Sequence, residues 1–445
     1  MPYEGEFATG ESLLSLERSE ALREFQGSVR KREEADAPNP AVLTVPRNSW
    51  MPNRVVAVDG STINVPVDNG FPMADVSLLK VALVSIDLSK LNLREREIPS
   101  PRVFYEMERA HTFDKVLPGA NIIRPNVQGD TPKDFFREVV QETLEGKIGA
   151  AHESLIDTVR AITANRERVG KRPRCPVEDC ENELGIGEGR YECGCERKAA
   201  LYEADIFRFS ERFSDVSSNG EAHGEVRHLV EVLSLVNVLR FFASKDETLG
   251  YLRDNVFILD GPLALFGHAA WLAPYVRDEI CRINDKCRNK GFDLAVFGVE
   301  KSGAFVEHFN QIDMTPEGGP RSKYAKKTAI ALEARYINRN IALRPEDAKP
   351  HGKDTYFGRK VLYKTATGDH AVITTAIANE ASRDLYRNDE PCYPRVGDIL
   401  NVLDHLATYL YTDGFMPLVR ANAHAAIPLR RGTDIIHGLF DGSHP

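Results

Sequence analysis

Two aspartates each directly follow a short apolar run in this sequence. Asp59 comes after residues 55–58 and Asp260 after residues 256–259, and a glycine follows each of them. The ends of buried strands are where α/β sheets build their sites, and glycine leaves room for a ligand to approach. Asp-Gly can instead simply mark a turn. The occurrence of two matched cases favours a functional site.

A third acid, Glu231, lies inside an apolar segment that is predicted to be helical. It is the only charged residue between the Arg227-His228 pair and Arg240. Burial of an unpaired carboxylate is costly, so Glu231 needs a cation or a hydrogen-bond network. The alternative is a half-exposed helix on which Glu231 faces water beside Arg227. Together with the two aspartates, a buried Glu231 would form an oxygen-rich set suited to Mg²⁺ or Mn²⁺.

Four of the seven cysteines are clustered in a short segment. Their pattern is Cys175-x4-Cys180-x12-Cys193-x-Cys195. Two close pairs of thiolates can close a tetrahedral Zn²⁺ site, and a site with four cysteines has no open position for catalysis. The sequence therefore predicts a structural zinc site in a small insertion over residues 171–200. Free or redox-active thiols are the alternative.

Basic residues are concentrated between positions 321 and 364, although the formal net charge of the whole chain is −9. This stretch has twelve Lys and Arg against four Asp and Glu, with five Tyr and Phe interspersed. Such a mixture suits contacts with nucleic-acid phosphates and occasional base stacking, whereas a solvated basic face is the plain alternative. The candidate DNA-binding residues are Lys323, Lys326, Lys327, Arg335, Arg339, Arg359 and Lys360.

The elements that position these residues alternate between strand-like and helical patterns. A hairpin is predicted over residues 54–58 and 76–88, and further strands over 256–259, 294–299 and from 361 onward. Helices are predicted over 131–170, 226–242, 276–290 and 400–410. This order predicts an α/β domain with parallel strands in its second half. A helix over residues 11–34 and a proline-rich connector are expected to form a separate N-terminal segment, residues 1–50, before the main domain, residues 51–445.

Several protein classes are excluded by what the sequence lacks. No stretch reaches the roughly 20 apolar residues that a membrane helix needs, and residues 1–14 do not resemble a secretion signal. We therefore expect a cytoplasmic protein without a membrane partner. There is no phosphate-binding loop of the Gly-x4-Gly-Lys-Ser/Thr type, so the chain should not hydrolyse ATP by itself.

In the order of its motifs the chain resembles the NurA nuclease family, over about residues 50–430. The resemblance includes VVAVDGS (55–61), the helix that carries Glu231, VFILDGPLALFG (256–267), LAVFGVEKSGAF (294–305) and MPLVRANAHAAI (416–427). It implies that Asp59, Glu231, Asp260 and His424 are metal ligands and that Lys301 is an electrostatic partner of the scissile phosphate. Glu225 lies on the same segment as Glu231 and is the alternative second acid.

This resemblance implies an RNase H-like mixed sheet flanked by helices, and a homodimer that encloses a DNA channel. It also implies a Mn²⁺-dependent, or Mg²⁺-dependent, deoxyribonuclease with 5′ to 3′ exonuclease and single-strand endonuclease activity. The expected partner is a HerA-type hexameric ATPase, in DNA repair or in anti-phage defence. A catalytically silent nucleic-acid-binding scaffold subunit of such a complex is the alternative.

Overall fold

The computed structural model describes most of the chain. The described residues are 15, 18–29, 40–45, 49–67, 70–88, 108–125, 127, 129–149, 153–164, 174–175, 180, 182, 187–196, 198–314, 322–408 and 414–426. The chain divides into two units, residues 1–39 and residues 40–445. In the first unit, helix α1 spans Glu20–Ser28, and the Ser19 side chain caps it by accepting a hydrogen bond from the Leu22 amide. The first and last residues of the predicted helix, 11–14 and 30–34, lie outside the described residues.

A nine-stranded mixed sheet forms the centre of the second unit. Its spatial order is β1-β9-β10-β11-β8-β7-β2-β3-β4. The strands are β1 Val42–Leu43, β2 Arg54–Pro66, β3 Asp75–Asp87, β4 Glu108–Pro118, β7 Asn255–Asp260, β8 Val296–Glu300, β9 Ala329–Ala331, β10 Gly358–Lys364 and β11 His370–Ala376. Two small hairpins are separate from it, β5 Arg190–Glu192 with β6 Ala200–Tyr202, and β12 Ala407–Thr408 with β13 Gly414–Phe415.

Five of these strands give the sheet its topology. β2, β3 and β4 form an antiparallel meander, β7 is parallel to β2, and β8 is parallel to β7. In the spatial order β4-β3-β2-β7-β8, strands β7 and β8 run parallel to β2. This order and these directions are those of the RNase H-like fold. The expected mixed α/β sheet is therefore confirmed. Among the described strands in the second half of the chain, parallel pairing is limited to β7 and β8. β11, β10, β9 and β1 extend the sheet beyond β8 in antiparallel order.

Helices cover both faces of the sheet. They are α2 Pro132–Glu145, α3 Leu155–Thr163, α4 Gly220–Ala243, α5 Leu249–Arg253, α6 Ala273–Arg288, α7 Ala304–Ile312, α8 Ala334–Asn340, α9 Glu380–Arg383, α10 Val396–Leu406 and α11 Met416–Ala425. Short 3₁₀ helices span Glu203–Phe207, Phe209–Glu211, Asp246–Thr248, Gly267–Leu272 and Glu390–Cys392.

The two faces of the sheet have separate hydrophobic cores because side chains alternate along each strand. Val56 and Val58 of β2 pack in a core with α2, α3, α4 and α6. Val55 and Ala57 of the same strand pack in a second core with α10 and α11. Both cores consist mainly of aliphatic side chains, so burial of both faces explains why the strands are almost continuously apolar.

One predicted helix is divided in the structure. Residues 131–170 were expected to form a single helix, but α2 ends at Glu145 and α3 begins at Leu155. Gly149 has a positive φ of 58° between them, and the Ser154 side chain caps α3 together with Asp157. The break follows from glycine and capping signals that outweigh the apolar pattern.

In the described parts of the chain, no helix is long and apolar enough to cross a membrane.

Gly298 in β8 is required by the way the chain leaves the neighbouring strand. A Cβ atom at this position would lie 2.2 Å from the carbonyl oxygen of Gly261 and 3.0 Å from the amide nitrogen of Leu263. Both contacts are to backbone, which cannot rotate away. The segment that follows Asp260 can therefore cross β8 closely only over a glycine.

We expect Gly298→Ala to lower the free energy of unfolding by about 1–3 kcal/mol, because overpacking forces the backbone after Asp260 to move. Thermal unfolding of the full chain measures this. Gly250→Ala is the matched control, because nothing lies within 4 Å of its added Cβ. Equal melting temperatures for Gly298→Ala and the native chain would contradict the close approach.

Candidate metal centres

The two aspartates lie side by side where β2 and β7 separate. Val58 is opposite Leu259 in the parallel pair, so Asp59 and Asp260 are the next residues on neighbouring strands. β7 ends at Asp260, as expected. β2 continues through Asp59 to Pro66, so the expectation that Asp59 lies at a strand end is wrong. The Asp-Gly of β2 is not a turn either. Both aspartates continue the alternation of Val55, Ala57, Val256 and Ile258, which places them on the face covered by α10 and α11.

Glu231 approaches the same point from α4, on the opposite face of the sheet. Its side chain is only 2% exposed, which excludes the alternative that it faces water. Arg227 Nη1 donates to Glu231 Oε1 at 2.6 Å and to the carbonyl oxygen of Gly60 at 2.9 Å. Arg227 is the partner of Glu231 that the exposed-helix alternative named. However, Arg227 also binds the backbone of β2, and Glu231 does not face water.

Gly60 makes the approach of Glu231 possible. A Cβ atom here would lie 2.5 Å from Glu231 Oε1 and 3.1 Å from Glu231 Cγ. The residue next to Asp59 therefore has to lack a side chain for the carboxylate of α4 to reach the sheet. This close approach, rather than a turn, explains the glycine after Asp59.

Lys301 balances one of the acids. It follows β8 directly, and its Nζ atom donates to Asp260 Oδ2 at 2.8 Å. The sequence did not predict this ion pair with Asp260, and the predicted role of Lys301 toward a phosphate stays a prediction. The lysine side chain is about one-third exposed, so it is open to a ligand from solvent.

Burial and mutual repulsion raise the pKa values of the aspartates. Burial raises the pKa of Asp59 to about 7, the charges of Asp260 and Glu231 add to the rise, and the Gly60 amide and Lys301 oppose it. Burial also raises the pKa of Asp260, against the effect of Lys301. Burial is the larger cause for both aspartates and the charge of Glu231 adds to it, and a divalent cation would offset both effects.

The donor chemistry of these three acids fits Mg²⁺ or Mn²⁺, but their carboxylates are not gathered around one point. Within the described residues, only the four clustered cysteines bring three or more ligand atoms within 4.8 Å of one another. Glu231 is turned to Arg227, and Asp260 is turned to Lys301. Metal binding would therefore require these carboxylates to exchange a cationic side chain for the ion.

His424 does not contact the acids in this structure. It lies on α11, which covers the face from which Asp59 projects, and the Ser61 hydroxyl donates to the carbonyl oxygen of Ala425. However, its Nε2 atom is hydrogen-bonded to Glu108, which also accepts a hydrogen bond from Arg420 Nε at 2.6 Å. Its role as a metal ligand stays a prediction that needs a rotation away from Glu108. The sequence analysis did not identify Glu108.

Glu225, the alternative second acid, has a different role. It accepts hydrogen bonds from the backbone amide of His268 at 3.3 Å and contacts His268 Nδ1 at 3.0 Å, and it pairs with Arg212. These contacts anchor the loop after β7. Glu231 is instead the acid whose charge acts on both aspartates, and its role as the second acid stays a prediction.

His228 is a further residue that the sequence analysis missed. Its Nε2 atom donates to the carbonyl oxygen of Ala264 at 2.9 Å, and its Nδ1 atom lies 3.3 Å from Glu231 Oε2. Its position three residues before Glu231, on the same face of a helix, was the available signal.

The basic stretch is divided between exposed and buried cations. Five of the predicted DNA-binding residues are exposed: Lys323, Lys326, Lys327, Arg335 and Arg339. Arg359 is buried, donates to the carbonyl oxygens of Ser382, Asp384 and Arg387, and packs on the Tyr393 ring. Lys360 is buried against Glu300 between two aromatic rings. The prediction that Arg359 and Lys360 bind DNA is therefore wrong, because side chains that are hydrogen-bonded in the interior do not reach a DNA backbone.

The four clustered cysteines form a second candidate centre. Their sulfur atoms all lie within 4.8 Å of one another, with Cys175 Sγ 4.0 Å from Cys195 Sγ and Cys180 Sγ 3.9 Å from Cys193 Sγ. Four thiolates at about 2.3 Å from a tetrahedral Zn²⁺ would be about 3.8 Å apart. The cluster is therefore able to hold a metal, as the spacing predicted.

Comparison with known proteins gives structural matches only. No family model and no curated protein matches the chain. Among solved structures, the chain is similar to the NurA nuclease from Sulfolobus solfataricus, with a TM-score of 0.31, 10% identity and coverage of 96% of this chain and 95% of that one. It is also similar to a second structure of NurA, with a TM-score of 0.32, 10% identity and coverage of 97% and 98%. Both bear the family name that the sequence motifs suggested.

The raised pKa of Asp59 predicts how stability depends on pH in a chelating buffer. Its value of about 7 in the folded chain exceeds the unfolded value of 3.8, so the folded state binds the proton more tightly. This contribution to stability is lost as the pH rises from about 4 to 7. We expect Asp59→Asn to remove the loss, and to melt a few degrees above the native chain at pH 8 but closer to it at pH 5.

Melting temperatures of the native chain and of Asp59→Asn across this pH range test the expectation. Asp254→Asn, which changes a partly exposed aspartate just before β7, is the control and should show no such gain. Melting curves of the native and Asp59→Asn chains that shift in parallel between pH 5 and 8 would contradict it.

Proposed function

We propose that this chain is a metal-dependent deoxyribonuclease of the NurA type. The observation that carries the proposal is the adjacent position of Asp59 and Asp260 where β2 and β7 separate, with Lys301 bonded to Asp260 and the charge of Glu231 acting on both aspartates. The order of motifs along the chain supports the NurA assignment. The exposed lysines and arginines between residues 323 and 339 support DNA as the substrate.

Each residue of the acidic centre has a distinct task in this proposal. Asp59 and Asp260 would hold the ion, and Glu231 would complete the ligand set. When bound, Mn²⁺ or Mg²⁺ supplies an activated water and offsets charge on the leaving 3′ oxygen. Lys301, released from Asp260, neutralises the scissile phosphate. Arg227 keeps Glu231 positioned through the backbone of β2.

His424 belongs to the proposed ligand set as well. Its helix, α11, is fixed to β2 through the Ser61–Ala425 hydrogen bond, two residues from Asp59. Rotation of its side chain away from Glu108 would bring a nitrogen donor to the face from which Asp59 and Asp260 project. Glu108 would then stay neutralised by Arg420.

The biological setting follows from the NurA assignment. We propose a homodimer that acts with a HerA-type hexameric ATPase, with 5′ to 3′ exonuclease and single-strand endonuclease activity, in DNA repair or anti-phage defence. The lack of a phosphate-binding loop in the sequence agrees with a need for a separate motor. A cytoplasmic location is part of the same proposal.

We propose that the four cysteines hold a structural Zn²⁺ ion. The ion would fix the hairpin of β5 and β6, which is too short to have a core of its own. Arg137 and Arg160, from α2 and α3, hold Asp205 and Glu203 after this hairpin, so the insertion is anchored on the main domain by charge pairs.

A second candidate function is a DNA-binding scaffold subunit without catalysis. It is favoured by one observation, the pairing of His424 with Glu108 instead of with the acids. Cleavage assays separate the two candidates directly.

We expect the purified chain to cleave end-labelled linear DNA with Mn²⁺ or Mg²⁺ and not with chelator. Asp260→Asn should lower the cleavage rate at least about 100-fold, because it removes a charged ligand. DNA binding, measured by fluorescence anisotropy, should persist because the basic residues bind the phosphates. Asp254→Asn is the control, because Asp254 directly precedes β7, at the end of the strand opposite Asp260.

Retained cleavage by Asp260→Asn would rule out the proposed metal centre. DNA binding without cleavage by the native chain, alone and with a HerA-type ATPase, would support the scaffold function instead.

For the zinc site, we expect about one Zn²⁺ per chain in the purified protein. Cys193→Ser should lose the ion and lower the melting temperature, because metal binding stabilises the folded insertion. Elemental analysis and thermal unfolding measure both effects. Cys281→Ser, which lies outside the cluster, should keep the zinc. A zinc-free native chain that is as stable as Cys193→Ser would contradict the proposal.

A further inference from the structure

A short row of aromatic rings borders the acidic centre. The Phe266 ring stacks on the His228 ring, with centroids 5.8 Å apart and an interplanar angle of 15°. The Tyr356 ring contacts Phe266 edge-on at 5.6 Å. Phe266 itself is 42% exposed although two of its sides are supported. A large apolar ring is thus presented to solvent at a defined place.

The backbone on both sides of Phe266 is fixed. The Leu265 amide donates to the carbonyl oxygen of Thr355 at 2.8 Å, and Ala264 forms a bridge with Tyr356. Gly267 follows with a positive φ of 59°, in a space closed by Glu225. These contacts fix the position of the ring. The contacts of Glu225 with His268 contribute by anchoring the same loop.

Phe266 lies at the edge of the proposed catalytic centre. It is separated from Glu231 by a single ring, His228, whose Nδ1 atom lies 3.3 Å from Glu231 Oε2. The same loop begins at Asp260. Arg227 and Lys301, each about one-third exposed, supply positive charge near the acids. Sites for unpaired nucleotides combine an exposed ring for the base with cations for the phosphate, and this centre has both kinds of residue.

We propose that Phe266 is a stacking platform for an unpaired base next to the scissile phosphate, and that it selects single-stranded DNA for this site. The inference rests on the proposed nuclease function and deepens it. Base stacking on an aromatic side chain tolerates any sequence, because every base has a π-face. A base within a duplex is already stacked and paired, so it is not offered to the ring.

The test uses the full chain in chelating buffer, so that no cleavage competes with binding. Affinity for single-stranded and duplex oligonucleotides is measured by anisotropy, and a strand that carries 2-aminopurine reports stacking by fluorescence quenching. We expect Phe266→Ala to bind the single strand at least about 5-fold more weakly and to lose the quenching, with duplex affinity little changed. Phe266→Trp should restore both.

Phe71→Ala is the matched control, because Phe71 is also an exposed phenylalanine and lies far along the chain, in the turn between β2 and β3. Unchanged single-strand affinity of Phe266→Ala, or an equal loss for duplex, would overturn the stacking role while metal-dependent cleavage by the native chain leaves the nuclease proposal intact. Loss of affinity that follows only from a change in oligomeric state would assign the ring to a protein contact and overturn the role too. A native chain that binds no DNA would overturn both proposals.

Discussion

The structure of the site depends on the burial of three carboxylates that are close enough for their charges to act on one another. Asp59 and Asp260 project from one face of the sheet, and Glu231 approaches β2 at Gly60 from the other face. Burial and this shared charge raise the pKa of Asp59 to about 7. The fold tolerates the arrangement because Arg227 and Lys301 each take one of the acids. A divalent cation is the partner that would satisfy all three at once.

The sheet creates this space through two glycines. Gly60 leaves open the path that Glu231 uses, and Gly298 lets the chain after Asp260 cross β8 directly. Neither glycine serves a turn. Both permit a close approach that any side chain would block, so the backbone itself sets how near the acids come. The segment that crosses β8 continues to Phe266. The exposed ring of Phe266 therefore borders the acidic centre.

The acids and the main strands could be predicted from the sequence because local pattern defines them. An apolar run that ends in Asp-Gly is visible without any tertiary information, and so is the β2–β3 hairpin. The choice between Glu225 and Glu231 could not be made, because both lie on one helical segment and only the tertiary contacts with Arg212 and His268 distinguish them. Arg359 and Lys360 were misjudged because charge content does not reveal that strand β10 is buried on both faces. The Glu108–His424 contact joins residues 316 positions apart, and no local pattern indicates it.

The most direct test of a metal centre is to locate the ion. Crystals of the full chain soaked in Mn²⁺ would be measured at the manganese absorption edge, and the anomalous difference map would be compared with the positions of the acids. We expect a peak within roughly 2.0–2.6 Å of carboxylate oxygens of both Asp59 and Asp260, with Lys301 displaced from Asp260. A well-ordered acidic site with no anomalous peak, in crystals whose ions bind elsewhere, would contradict the account.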